Sequence, residues 1–119
     1  MATMTAQQVI NETRDRLHDT EPLPANQDWL DAFFIRAINS AVKQVVKVRP
    51  DCRWNPTGTG ILTIADVTAV GDDITIDDHF KEALVLWCMS MCYQSENSDR
   101  WDAEKSVDYR KLFAEELKV

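Results

Sequence analysis

From Ala83 to Tyr93 the chain is apolar on almost every side of a helical wheel, with Ser90 the only clearly polar interruption. A surface helix buries one stripe, whereas an all-round apolar helix needs neighbours on every side. The pattern therefore predicts a central or shared helix over about 79–96. A bilayer span would need roughly 20 uninterrupted apolar residues, and this run is bounded by Asp77, Asp78, Lys81 and Glu82 before it and Glu96 after it. A short chain has few elements with which to wrap such a helix, so part of its surface is expected to be covered by another copy or another protein.

The other elements follow from the same pattern. Val9, Ile10, Thr13 and Leu17 recur at helical spacing behind Thr5, a predicted N-cap with Gln8 completing a capping box, which gives a helix over about 5–18. Pro22 and Pro24 stop it. Asp28 reads as the cap of a second helix running to about Val48 and ended by Pro50. Its apolar residues, Phe34, Ile38, Val42 and Val45 among them, cover an arc of roughly 200°. That width predicts contact with at least two other helices, the one after His79 first among them. Arg36, Asn39, Ser40, Lys43 and Lys47 occupy the remaining arc.

Between these helices the period changes. Asn55 to Gly60 is turn chemistry, Ile61 to Ile64 and Ile74 to Ile76 have the β-branched composition of short strands, and Val70 to Asp73 reads as a turn. A β-hairpin over about 61–76 is expected, projecting and ordered against something else, because an isolated two-stranded hairpin is marginal in water. After a break at Asn97 to Arg100, Ser98 or Asp99 caps a fourth helix over about 101–118, with Val107, Tyr109, Leu112, Phe113 and Leu117 as a broken apolar stripe. The fold class expected is mainly α: a four-helix bundle-like single domain over 1–119, with a β-hairpin inserted between the second and third helices.

Composition narrows the function more than the fold. The net charge is −7, and residues 51–78 hold one basic and six acidic groups, so most of the excess sits in one stretch. An acidic chain without a basic cluster is a poor candidate for gripping nucleic acid. Three cysteines and no positively led apolar leader disfavour a secreted disulfide scaffold and suggest a reducing cytoplasm. With only three glycines, a phosphate-cradling loop is disfavoured too.

Candidate chemistry is sparse. Cys88 and Cys92 share a helical face and with His79 or Cys52 could be imagined as a metal site, yet Trp87, Met89 and Met91 around them favour buried core thiols. His18 beside Asp19 reads as a solvated or capping histidine, and Asp77 and Asp78 read as caps before His79. Hydrolase, zinc-protease, phosphate-loop and dinucleotide motifs are all missing, so neither an enzyme, a cofactor nor a metal is indicated. Trp87 belongs to the core. Trp29 falls on the polar arc of the second helix and Trp54 in the turn-rich loop, so both are expected to be partly exposed or covered from outside the monomer.

Several phrases, taken in order, resemble the head-to-tail adaptor (connector) proteins of tailed bacteriophages. They are Thr5-Ala6-Gln7-Gln8-Val9-Ile10, Arg14, Leu17-His18-Asp19, Trp29-Leu30-Asp31-Ala32, Arg36 to Ala41, and Val48-Arg49-Pro50-Asp51. In the second half they are Asp78 to Leu84, Tyr93-Gln94-Ser95-Glu96, and a last helix with Tyr109 and Phe113; His79 departs from the Pro or Tyr common before Phe80. The resemblance implies a virion protein at the head-to-tail interface, made and assembled in the host bacterial cytoplasm. Such proteins form a homo-oligomeric ring, commonly of about twelve copies closing by rotation, beneath the portal protein. The ring extends the DNA channel without specific DNA binding, presents a surface to tail or nozzle proteins, and involves no membrane.

On that reading Trp101, Tyr109, Leu112, Phe113 and Leu117 are candidates for the portal interface. Trp29, Trp54, Ile61, Ile64, Ile74 and Ile76 are candidates for a subunit or tail interface, and Asp66, Asp72 and Asp73 for the channel or a projecting acidic surface. Carboxylates lining a DNA conduit would repel phosphates and leave the genome free to slide. The alternative from another class is a small acidic helical regulatory or inhibitor module that binds another protein, for which an acidic surface would also serve.

Overall fold

The computed structural model describes residues 4–19, 29–53, 60, 63–95 and 101–118. The protein is mainly helical, with helices α1 (Ala6–Leu17), α2 (Asp31–Val48), α3 (Lys81–Gln94) and α4 (Ala103–Glu116). Strands β1 (Met4–Thr5) and β2 (Asp73–Ile74) form one small antiparallel sheet, and short 3₁₀ turns at Pro50–Arg53 and Asp78–Phe80 complete the order. The molecule measures 47 × 29 × 18 Å.

α3 is the axis. Ala83, Leu84, Val85, Leu86, Cys88, Met89, Ser90, Cys92 and Tyr93 are all buried on it, and α1, α2 and α4 pack around it. The lack of cover expected for this helix is therefore met largely within the chain itself. Exposed large apolar residues lie elsewhere, at Leu30, Val48, Trp101, Val107 and Leu112. No helix among the described residues is long and apolar enough to cross a membrane.

α1 starts where its sequence signals. Thr5 Oγ1 accepts from the Gln8 backbone N–H at 3.3 Å, and the Thr5 N–H donates to Gln8 Oε1 at 3.0 Å, so two orphan donors of the first turn are satisfied. It ends at His18, whose left-handed backbone (φ 56, ψ 40) closes the helix. A guanidinium then joins the end of α1 to the start of α2. Arg14 donates to Asp19 Oδ2 at 2.7 Å and to Asp31 Oδ1 at 2.8 Å, and lies 4.6 Å over the Phe34 ring. Asp19 also accepts the Trp29 backbone N–H at 3.3 Å.

This cluster explains a shift at the start of α2. The helix begins at Asp31 rather than at 28, with Leu30 at its cap; Asp28 lies outside the described residues. Trp29 consequently precedes the helix instead of occupying its polar arc, and it is buried at 4% exposure. At the other end α2 stops before Pro50 as the sequence indicates.

The sheet differs from the expected hairpin. Ile74 pairs with Met4 and Asp73 with Thr5, so the partner of the second predicted strand is the segment before α1; Thr63 and Ile64 form no ladder, and Ile61 and Leu62 lie outside the described residues. Burial decides it: Met4, Ile74 and Ile76 all enter the core. The loop leading to β2 is held instead by side chains. Asn39 on α2 donates to the Val67 carbonyl at 2.9 Å and accepts the Val67 N–H at 2.8 Å, mimicking a strand partner. Asp72 accepts from Thr68 N, Thr68 Oγ1 and Ala69 N at 3.0, 3.0 and 3.1 Å, which closes the turn.

Asn39→Ala removes both bonds to a buried residue and is expected to cost about 1–2 kcal/mol. Amide exchange at Val67 should quicken well before the helices are affected.

Candidate interaction surfaces

Chemistry-bearing side chains are not gathered. The three cysteines are free and buried, and burial pushes the Cys88 thiol up to about 12, leaving no thiolate near neutrality. No group of His, Cys, Asp or Glu among the described residues could hold a metal. His79 is exposed and its backbone N–H donates to the carboxylate of Asp77, which caps the 3₁₀ turn and is held below the ordinary carboxylate range by that bond.

The surface carries cavities among the described residues. One of about 360 Å³ is lined by Lys43, Val46, Arg53, Thr63, Ile64 and Asp66. Another, about 280 Å³, lies between Phe33 of α2 and Met91, Gln94 and Ser95 at the end of α3.

The most developed surface is α4. Asp102 caps it, accepting from the Lys105 N–H at 3.1 Å, while its own N–H bonds the Tyr93 carbonyl at 2.8 Å. One face is locked onto α3. Ser90 and Ser106 exchange bonds, each hydroxyl donating to the other residue's carbonyl at 2.8 and 2.9 Å. Small side chains permit that close approach, and the reciprocal bonding satisfies both hydroxyls. Above and below it Tyr93 stacks on Tyr109 at 5.7 Å and Trp87 meets Phe113 at 5.0 Å. Arg110 donates to Ser90 Oγ at 3.1 Å and to Gln94, and lies 5.0 Å over the Trp87 ring.

The portal-interface candidates accordingly divide. Phe113 and Leu117 point inward and are buried, because they supply α4's attachment to the core; Tyr109 is half-buried in its stack. Trp101 and Leu112 are 53% and 46% exposed, and Val107, from the same apolar set, is 51% exposed.

No family model, curated protein or solved structure matches the chain. The residues themselves must carry the functional reading.

The subunit- or tail-interface candidates fare differently. Trp29, Ile74 and Ile76 are core residues of the monomer, since α2 starts late and β2 pairs inward; none offers a free face to a partner. Ile64 is half-buried beside the larger cavity, and Trp54 and Ile61 lie outside the described residues. Of the acidic candidates, Asp66 and Asp73 are exposed. Asp72 instead spends its carboxylate on the turn, and those bonds hold its pKa below the ordinary value. Sequence inspection missed the Arg14, Asp19 and Asp31 cluster, whose only local signal is a basic residue near an Asp beyond the helix end.

Proposed function

We propose that the chain is a structural subunit of a phage head-to-tail junction, one copy of a ring that sits under the portal, receives the tail and lets DNA pass. The carrying observation is the two-sided character of α4: one face is fixed to α3, while the other leaves Val107 and Leu112 uncovered, with Trp101 exposed just before the helix cap. Exposed aromatic and aliphatic side chains on a rigidly held helix are what a helix-in-groove contact requires. The family phrases of the sequence and the exposed Asp66 and Asp73 agree with this reading.

Removing residues 101–118 would strip the cover from Trp87, Ser90 and Tyr93, so surface substitutions are the cleaner test. Trp101→Glu combined with Leu112→Glu is expected to weaken co-sedimentation with purified portal rings at least tenfold, about 1.4 kcal/mol. The thermal melt should stay close to that of the unmodified protein. Undiminished portal binding by a folded variant overturns the docking role of α4. A regulatory module, by contrast, would remain monomeric or dimeric by light scattering with or without portal rings.

A further inference from the structure

Two helices of this chain carry outward stripes of opposite charge. On α2, Arg36, Lys43 and Lys47 lie within about 40° of one another on the wheel, opposite the buried Ala37, Ile38, Ala41 and Val45. On α4, Glu104, Asp108 and Glu115 lie within a similar arc, interrupted by the exposed Lys111 and opposite the inward Ser106 and Phe113. All six are exposed, and none of them forms an ion pair with another described residue. Lys43 borders the cavity that Asp66 also lines, and no ion pair joins the two stripes within one copy.

Their spacings match in reverse. Lys47 to Lys43 is four residues and Lys43 to Arg36 seven; Glu104 to Asp108 is four and Asp108 to Glu115 seven. We infer that α2 of one copy lies antiparallel along α4 of another, with Lys47 against Glu104, Lys43 against Asp108 and Arg36 against Glu115. Each stripe is about 16 Å long at the helical rise, so one register aligns all three pairs. The parallel alignment fails, because Arg36 on Glu104 would set Lys43 against Lys111. In the antiparallel one Lys111 faces Ser40.

Exposed pairs give register and specificity more than affinity. On the wheel Val107 and Leu112 lie to either side of the acidic stripe, about 80° and 60° from its centre, which leaves them to the portal contact. A stripe of three cations could also follow phosphates, but the complementary register on the same chain favours a second copy. This contact deepens the ring reading and rests on it for the closure of the assembly.

The test uses full-length protein with portal rings and alone at low salt. Carbodiimide coupling of mixed isotopically labelled copies should join Lys43 to Asp108 or Lys47 to Glu104 between copies. K43E/K47E and E104K/D108K should each lose association at least tenfold, and mixing the two should restore it, since their faces are complementary again. High salt should weaken the unmodified protein as screening shortens. If both variants associate and fill portal rings normally and no such cross-link forms, the contact is overturned while the ring reading stands. If the unmodified protein associates neither alone nor on portal rings, both fall. Loss of duplex oligonucleotide binding by K43E/K47E at undiminished association would assign the stripe to phosphates and also overturn the contact.

Discussion

Arg14→Ala should cost the fold about 3–5 kcal/mol, because it takes the cation from a buried carboxylate. The Asp19 side chain is 2% exposed and its partner guanidinium 9%. Its Oδ2 accepts from Arg14 and from the Trp29 backbone, and Arg14 reaches on to Asp31 and covers Phe34. Removing the cation takes away the bonds that join Asp19, after α1, to Asp31, at the start of α2. Against a typical total of about 5–15 kcal/mol, such a loss brings many small domains close to unfolding at growth temperature. Asp31→Asn, at a side chain 53% exposed, should cost under about 1 kcal/mol. Urea titrations of the two variants check the contrast, and equal midpoints would show that burial is not what gives the cluster its weight.

Phe113→Ala should be of similar size, about 3–5 kcal/mol, through the cavity left against Trp87. Trp87 meets both the Phe113 ring and the Arg110 guanidinium of α4, and its indole N–H donates to Ser40 Oγ at 3.3 Å. Its fluorescence should therefore shift red as α4 loosens. On the proposed docking role portal binding should fall with it, because the helix that presents Leu112 and follows Trp101 is no longer held. The pair of substitutions on opposite faces of α4 thus separates two roles: the inner one changes stability and binding together, the outer one binding alone. If Phe113→Ala leaves the melt within about 1 kcal/mol of the unmodified protein, the attachment of α4 lies elsewhere.

The elements that could be read from the sequence are those with period and local punctuation. Thr5 and Gln8 fixed the start of α1, Pro50 the end of α2, and the all-round apolar run from Ala83 to Tyr93 the central helix. What escaped was non-local. A strand of two residues has no period to read, so nothing near Ile74 announced Met4 as its partner. Nor does Asn39, on the polar arc of a helix, signal that it serves as a strand edge for Val67. Trp29 was misplaced because a wheel begun at Asp28 carries it into a helix that in fact starts later. On α4 the stripe could not tell Phe113 from Leu112, because the contact that orients the helix is made by a pair of serines.

The pairing of Met4 with Ile74 also constrains the order in which the protein is made. The first helix leaves the ribosome early, but the strand that frames its capped end is 70 positions downstream. Its final docking therefore waits until Ile74 has emerged, and until α3 follows, the apolar face of α1 has only α2 to pack against. Nascent chains halted before that point should stay protease-sensitive along their whole length and gain resistance together, in one late step.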